Sequence, residues 1–343
     1  MKIDERKQRV LEAIIKDYVA TAEPVGSRTI ARKYNLGVSP ATIRNEMADL
    51  EEMGLIEQPH TSAGRIPSQL GYRYYVDCLM EVYSLTEQEQ VLIQSKFFHK
   101  TGDLEQIVLE TSKLISQFTN YTAMVMGPIP IQGRFRQIEL IQLQAQIALL
   151  VVVTESGAVI HKMLEFPEPV SAADLYRVSQ TINAKLKGIT FNDIQRTLLH
   201  ELYAELQQQK DILFMALDLL DEYLHAPEWE KVYLGGIINI FNQPEFRNVE
   251  KIRRILSVLE EENEMRDLLT ESKGTGVTVR IGGENRREEF QDCSVITVTY
   301  EIDGKAVGRV GLLGPTRMEY PKATSILEYM AMILSEVFRG YRG

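Results

Sequence analysis

The chain has 343 residues, 44% of them hydrophobic and 25% charged, a composition typical of a globular protein with two or three domains. No uncharged apolar run reaches the roughly 18 residues that span a bilayer, and the first residues show no signal peptide, so we expect a cytoplasmic protein without a membrane segment. Cys78, Cys293 and the five histidines show no metal-ligand or nucleophile spacing, so no metal, cofactor or catalytic residue is predicted.

The formal net charge of -10 is unevenly distributed along the chain. Residues 1–80 carry 11 Lys+Arg and 11 Asp+Glu, which leaves 38 − 11 = 27 basic and 48 − 11 = 37 acidic residues for the rest. Within the first part, residues 27–45 contain basic side chains and no acidic one. An acidic chain disfavours nucleic acid as a partner, but this segregation leaves a local basic surface that could bind it.

The first fifty-four residues predict three helices. The segment "KQRVLEAIIKDYVAT" places Val10, Ile14 and Tyr18 on one face of an amphipathic helix. A second helix is expected to begin at Ser27 as its N-cap. The third helix has Ser39 as its N-cap, with Pro40 at the first helical position and Gly54 after its end.

The third helix indicates a function through its outward face. Its apolar stripe of Ile43, Met47 and Leu50 leaves small, polar and basic residues pointing outward. These residues are Ala41, Thr42, Arg44, Asn45 and Ala48. Two helices joined by a tight turn with such a face are typical of a helix-turn-helix that reads the major groove. The alternative is a three-helix cap whose polar face only contacts water.

The segment that follows favours DNA binding. "GLIEQP" predicts a short strand and "PHTSAGRIP" a turn, which together resemble the wing of a winged helix. Gly64 allows the backbone to approach another surface closely, and the Arg65 guanidinium suits a phosphate or a narrow minor groove. A phosphate-binding loop of an enzyme is excluded because its G-x-x-x-x-G-K-[ST] spacing is absent. The candidate DNA-binding residues are Ser27, Arg28, Ser39, Thr42, Arg44, Asn45, Thr61, Ser62 and Arg65.

Two segments carry a family resemblance. The first is "EPVGSRTIARKYNLGVSPATIRNEMADLEEMGLIEQPHTSAGRIPSQLGYRYYVD", and the second is "VGRVGLLGPTRMEYPKA" near the C-terminus. Both resemble HrcA, the family of bacterial heat-inducible transcription repressors. The resemblance implies a homodimer on double-stranded operator DNA, an inverted repeat ahead of chaperone genes, and dependence on a GroEL-type chaperonin for the active fold.

The remaining chain predicts strands on both sides of a helical block. "YTAMVMGP", "FRQIELIQL", "IALLVVVTES" and "AVIHKMLEF" indicate an antiparallel meander, residues 167–224 are mainly helical, and strands recur after residue 276 before a final helix from Lys322 to Phe338. This pattern indicates a sheet domain interrupted by an insertion, and the resemblance implies that the sheet domain is GAF-like and the insertion dimerises. The expected fold is therefore an α+β multidomain protein. Its parts are a winged-helix domain at 1–82, a connecting helix at 83–102, a GAF-like domain at 103–166 and 228–343, and an inserted dimerisation domain at 167–227.

Three alternatives remain open from the residues. The widely apolar helices of the block could form a subunit interface or pack on their own sheet. "GLLGPTRMEYP" could be a strand end and helix start, which we favour, or the rim of a small-ligand pocket. The repressor could accordingly be gated by a small ligand in the sheet domain, whereas an enzyme is disfavoured because no catalytic motif is present.

Overall fold

A computed structural model describes residues 3–60, 63–97, 104–127, 135–154, 159–189, 196–224, 231–246, 248–271, 274 and 276–340. The chain divides into two compact units. The first comprises Met1–Gly127 with Lys231–Leu334, and the second comprises Pro128–Glu230 with Ser335–Gly343.

The N-terminal part of the first unit is a winged helix. Its elements are α1 (Glu5–Thr21), α2 (Ser27–Lys33), α3 (Pro40–Glu52), β1 (Ile56–Glu57), β2 (Ile66–Pro67) and α4 (Gln69–Tyr74), which continues as a π-helical turn over Tyr75–Leu79. As predicted, Ser39 caps α3, since its hydroxyl accepts a hydrogen bond from the Thr42 amide at 3.1 Å. The prediction for α2 is wrong by one residue, because Gly26 occupies the N-cap and Ser27 is the first helical residue, with its side chain buried.

The rest of the first unit is a five-stranded antiparallel sheet with helices on it. The strands are β3 (Thr122–Met126), β7 (Val232–Gly235), β8 (Thr278–Ile281), β9 (Cys293–Ile302) and β10 (Lys305–Pro315), in the order β7-β3-β10-β9-β8. The helices are α5 (Glu87–Phe97), α6 (Leu104–Thr119), α10 (Val249–Leu259), α11 (Glu262–Thr270) and α12 (Tyr320–Gly340). Eight consecutive residues of β9 are buried, so the sheet is covered on both faces.

Two helices of the first unit begin at side-chain caps. Thr86 and Glu89 form a capping box, in which the Glu89 carboxylate accepts from the Thr86 amide at 2.9 Å and the Glu89 amide donates to the Thr86 hydroxyl at 3.2 Å. Asn248 caps α10. The final helix begins at Tyr320, two residues before its predicted start at Lys322.

The second unit combines the strands β4 (Phe135–Gln144), β5 (Ile147–Thr154) and β6 (Val159–Glu165) with the helices α7 (Ala172–Leu186), α8 (Arg196–Glu205) and α9 (Lys210–Leu224). The three strands form their own antiparallel sheet, and one apolar core joins them to the helices. The Asn183 side-chain amide accepts from the Ile138 N–H at 2.7 Å and donates to the Ile138 carbonyl at 2.9 Å.

The second unit corrects the domain boundary predicted at residue 167. The sequence pattern predicts one sheet for all four strands of residues 121–166, but only β3 belongs to the sheet of the first unit, where it pairs with β10 and β7. The other three strands belong with the helices, because they bury their inward apolar side chains against α7 and α9. The segment that interrupts the first unit therefore begins at residue 128.

Contacts within the first unit join the winged helix to the five-stranded sheet. The Arg317 guanidinium donates to the Val19 carbonyl at the end of α1 at 2.5 Å and to the Glu245 carboxylate at 2.6 Å. The buried rings of Tyr72 and Tyr320 lie 5.9 Å apart between centroids, and burial raises the pKa of Tyr72 well above its usual range. The distinctive segment "GLLGPTRMEYP" thus has a structural role, as favoured from the sequence.

A second group of contacts joins α4 of the winged helix to residues 279–291 of the sheet region. The Arg73 guanidinium donates to the Glu284 carboxylate at 2.8 Å and to the Val279 carbonyl at 2.5 Å. Gln69 accepts from the Gly283 amide at 2.9 Å and donates to the Gln291 carbonyl at 3.0 Å. The winged helix is therefore fixed to the sheet by polar contacts on both α1 and α4.

Candidate nucleic-acid interface

The helix-turn-helix is built by burial of one face of each of its three helices. Ile14 of α1, Ile30 of α2 and Ile43 of α3 are fully buried together with Leu50. Between α2 and α3 the chain reverses through Asn35 (φ 40°) and Gly37 (φ 71°), and residues with short or absent side chains tolerate this left-handed conformation. The turn presents α3 beside α2 with its N-terminal half facing outward.

The outward face of α3 is the one predicted from the sequence. Ala41, Arg44, Asn45 and Ala48 are exposed, and Thr42 is partly exposed. The Thr42 hydroxyl lies 3.0 Å from the hydroxyl of the cap residue Ser39, so the two hydroxyls share a hydrogen bond. Small side chains on either side of Arg44 and Asn45 leave their polar ends accessible, the arrangement needed to reach base edges or phosphates.

Ion pairing separates the basic residues of this domain into two groups. Among the described residues of the range 3–80, six basic side chains lie within 4.0 Å of a carboxylate: Arg6, Lys7, Lys16, Lys33, Arg65 and Arg73. Within the same residues no carboxylate pairs with Arg9, Arg28, Arg32 or Arg44, all of which are exposed. Three of these four lie on α2 and α3, the two helices of the helix-turn-helix, although the domain has no net charge.

Unlike the exposed arginines of α2, Lys33 on the same helix pairs with a carboxylate. Its ammonium group donates to the Asp17 carboxylate of α1 at 2.6 Å, and this hydrogen bond raises the pKa of Lys33. The Asp17 side chain is only 6% exposed, so Lys33 compensates a nearly buried charge. Lys33 therefore joins α1 to α2, and the Arg32 side chain beside it is available to a ligand.

The wing is a short hairpin held against the strand-like segment before α2. Ile56 pairs with Pro67 and Glu57 with Ile66, and Arg65 makes both backbone hydrogen bonds of a bridge to Val25 at 2.8 and 2.9 Å. A Cβ atom at Gly64 would lie 2.5 Å from the Val25 carbonyl oxygen. The close approach that the sequence assigned to Gly64 is therefore made to its own domain.

The Arg65 side chain is paired with an acidic residue of α3. Its Nε lies 2.8 Å and its Nη2 2.7 Å from Oε2 of Glu51, and the two side chains are 23% and 34% exposed. The guanidinium that the sequence analysis assigned to phosphate or the minor groove thus already has a carboxylate partner. Sequence reasoning missed Glu51, because a spacing of 14 residues carries no local signal.

The other predicted DNA-binding residues are placed unevenly. Arg28, Ser39, Arg44 and Asn45 are exposed, as expected for contacts with a ligand. Ser27 is only 9% exposed, because the first turn of α2 packs against the domain, and its side chain is therefore not on the outward surface. Thr61 and Ser62 lie outside the described residues. The structure adds Arg32, an exposed residue of α2 that is not among the predicted DNA-binding residues.

The sequence comparisons agree with this geometry. The C-terminal domain of HrcA proteins matches residues 105–324, and the winged helix-turn-helix transcription repressor domain of HrcA, a DNA-binding domain, matches residues 2–76. The chain belongs to the HrcA family. HrcA proteins are heat-inducible transcription repressors, and this member is therefore a repressor with a DNA-binding winged helix and not an enzyme.

Full-length relatives of this HrcA-family chain are similar throughout. The heat-inducible transcription repressor HrcA of Pelotomaculum thermopropionicum is 52% identical over 98% of this chain and 97% of its own. The protein of the same name from Moorella thermoacetica is 49% identical over 98% of each chain. A crystal structure of a protein described as hypothetical covers 99% of this chain and 100% of its own, with a TM-score of 0.69 and 24% identity, and supports the overall fold.

Among the residues that the structure describes, no helix is both long enough and apolar enough to cross a bilayer.

Proposed function

We propose that this HrcA-family chain binds, as a homodimer in the cytoplasm, an inverted-repeat operator ahead of heat-shock chaperone genes and represses them by covering the promoter. The observation that carries the DNA-binding part is the outward face of α3 together with the exposed side chains of Arg28, Arg32 and Arg44, which pair with no carboxylate among the described residues. Heat, or loss of a GroEL-type chaperonin, would lower the amount of competent dimer. The printed names of the relatives support the heat response.

Individual contacts follow from the chemistry of each side chain. Asn45 suits a bidentate pair with adenine, and Arg44 suits guanine or a phosphate. Arg28 and Arg32 of α2 suit phosphates, because the first helix of a helix-turn-helix crosses the backbone. Ser39 and Thr42 at the start of α3, and Thr61 and Ser62 in the wing, complete the proposed surface with hydroxyl groups that can donate to phosphate oxygens.

The homodimer is supported by an exposed apolar surface in the second unit. Ile141, Leu149 and Met163 are direct cross-strand neighbours in the three-stranded sheet. They lie on the face opposite the core, where Ile141 is 48% and Met163 63% exposed. A row of apolar side chains on one sheet face suits an isologous interface, in which the same surface of two copies meets. We therefore propose that this unit dimerises. The GAF-like character of the five-stranded sheet is proposed from the family resemblance alone.

The dimer surface can be tested by adding charge to it. Met163→Lys should convert the dimer to a monomer in sedimentation equilibrium, because an unpaired ammonium would be buried between the copies. The matched control is Gln180→Lys, which adds the same charge at an exposed position of α7. Equal dimerisation of both variants, or a monomeric wild-type protein, would reject this surface.

The repressor function is tested by footprinting. Purified full-length protein, without any added metabolite, should protect two symmetric half-sites upstream of the chaperone genes of its own genome, with two protomers per duplex. The half-site centres should be separated by about one helical turn or a multiple of it. Absence of protection would refute the proposal.

A ligand-gated repressor is the second candidate. It would hold an effector in the GAF-like sheet domain and change the spacing of the two DNA-binding domains. A ligand-gated repressor is distinguished by its footprint. Protection of the same DNA should appear or disappear when a cell extract of small metabolites is added. Protection that is instead restored to heated protein by GroEL-type chaperonin and ATP supports the chaperonin part of the proposal.

A further inference from the structure

The wing has little structure of its own. Its two strands contain two residues each, and a hairpin of that length is unstable alone in water. Its position must therefore be set by contacts with neighbouring elements. Within the described part of the wing these include the bridge to Val25, the Ser68 hydroxyl on the Gly54 carbonyl at 2.5 Å, and the Arg65 pair with Glu51.

Arg65 contacts two elements of the helix-turn-helix at once. Its backbone binds Val25, two residues before the start of α2, and its guanidinium binds Glu51 in the last turn of α3. Glu51 lies six residues after Asn45 on the same helix, so the contact joins the wing to the helix that presents the proposed base-reading side chain. A change in this pair would change the angle between the wing and α3.

The Arg65 guanidinium is also less suited to binding a phosphate than an unpaired guanidinium would be. Two guanidinium nitrogens lie on one carboxylate oxygen at 2.8 and 2.7 Å, and both side chains are more than half buried. A carboxylate this close offsets the positive charge that a phosphate would meet, and it would repel the phosphate itself. The exposed arginines of α2 and α3 have no such neighbour within the described residues.

We propose that Arg65 is a positioning residue, whose ion pair with Glu51 holds the wing against α3 so that wing and recognition helix meet DNA as one rigid surface. This inference rests on the proposed DNA binding. In it, Glu51 supports binding although it is acidic. Removal of Glu51 should therefore weaken operator binding, whereas removal of an acidic residue near DNA ordinarily strengthens it.

The binding experiment compares full-length Arg65→Gln, Glu51→Gln and the double variant on the footprinted duplex and on an unrelated duplex of equal length, at several salt concentrations. Each single variant should bind the footprinted duplex about fivefold more weakly, with no further loss in the double variant, because the two changes remove one interaction. The slope of log affinity against log salt should stay unchanged, since no phosphate contact is lost.

The matched control is Glu52→Gln. It removes the same charge from an exposed neighbouring position of α3 and should leave operator affinity equal or slightly higher. The exchanged pair, Glu51→Arg with Arg65→Glu, should recover affinity that Glu51→Arg alone loses. If Glu51→Gln instead binds as tightly as Glu52→Gln, while Arg65→Gln reduces the salt slope by about one, Arg65 is a phosphate contact and the proposal is wrong.

A measurement without DNA separates this inference from the proposed function. The Arg65 amide, which donates to the Val25 carbonyl at 2.9 Å, should exchange with deuterium faster in both single variants than in wild type and Glu52→Gln. Unchanged exchange in both variants would overturn the positioning role. If the wild-type protein protects no DNA, the proposed function fails, and the exchange result still decides whether Glu51 holds the wing.

Discussion

The helix-turn-helix and the wing carry arginine in different environments. On α2 and α3, Arg28, Arg32 and Arg44 are exposed, and no carboxylate pairs with them among the described residues. In the wing, Arg65 is 77% buried against its own domain and pairs with Glu51. Both regions are basic in the sequence, but only the first offers guanidinium groups that a phosphate or a base can bind without first displacing a carboxylate.

The comparison also explains how a domain without net charge can bind DNA. Its acidic residues Asp17, Glu46 and Glu51 form ion pairs with Lys33, Lys7 and Arg65 inside the domain. Of the four described arginines without a carboxylate partner in the domain, three lie on α2 and α3 and one, Arg9, lies on α1. Local distribution of charge, and not its sum, sets the electrostatic field that a DNA backbone meets at contact distance.

The largest expected effect comes from neutralising the helix face. Substitution of Arg28, Arg32 and Arg44 together by Gln should lower operator affinity about a hundredfold and reduce the salt slope by about three, because each lost phosphate contact removes about 0.9 released counterion. Fluorescence anisotropy titrations at four salt concentrations measure both quantities. Arg9→Gln is the control, because Arg9 lies on α1 and pairs with no carboxylate among the described residues. An equal change in this variant would remove the distinction between faces.

Asn45 distinguishes base reading from backbone binding on the same face. Asn45→Ala should lower affinity for the operator by about tenfold or more, the cost of a bidentate base contact, and leave affinity for an unrelated duplex unchanged. Competition titrations with both duplexes measure the ratio. Equal losses on the two duplexes would assign Asn45 to the backbone, and Glu52→Ala controls for a change on the same helix.

Gly64 tests whether the wing depends on close packing. Gly64→Ala should lower the free energy of unfolding by about 1–3 kcal/mol, because its methyl group would overlap the Val25 carbonyl and separate the paired backbones. Thermal and urea denaturation measure the loss, and operator affinity should fall with it. Gly276→Ala is the control, since a Cβ there meets no described atom within 4 Å and its φ lies outside the left-handed region. Equal stability of the two variants would show that the wing tolerates displacement.

The smallest expected effect on DNA binding is that of Lys33, the residue of α2 that is paired with a carboxylate. Lys33→Gln should change operator affinity by less than about twofold and leave the salt slope unchanged, since its charge is directed at Asp17. The melting temperature should fall, because the nearly buried Asp17 carboxylate loses its partner. A reduced salt slope would show that Lys33 contacts DNA. It would contradict the inference that cations paired with a carboxylate do not bind phosphates.

Much of the helix-turn-helix could be predicted because its signals are local. The cap at Ser39, the proline at the first position of α3 and the apolar stripe of Ile43, Met47 and Leu50 all act over one or two helical turns. The capping box of Thr86 and Glu89 is of the same kind. At Ser27 the same reasoning was wrong by one residue, because glycine can also occupy an N-cap and burial then places the serine inside.

The domain boundary could not be predicted, because the sequence of a strand does not show which other strand it pairs with. β3 and β4 both show short β-branched or apolar patterns, yet β3 pairs with strands more than 100 residues later and β4 pairs with the next strand in the chain. Pairing is decided by which apolar faces can be buried together, and that depends on helices such as α7.

By itself the sequence determined the winged helix and the outward residues of α3, because hydrophobic spacing and caps depend on neighbours a few residues apart. The resemblance of two segments to HrcA proteins also indicated the family, which the comparisons confirmed. Only the tertiary structure decided which cations are available. The Arg65–Glu51 pair spans 14 residues, and the Arg317 contact with Val19 spans 298. Such contacts form when the fold brings the ends of long side chains together, and no local pattern in the sequence predicts them.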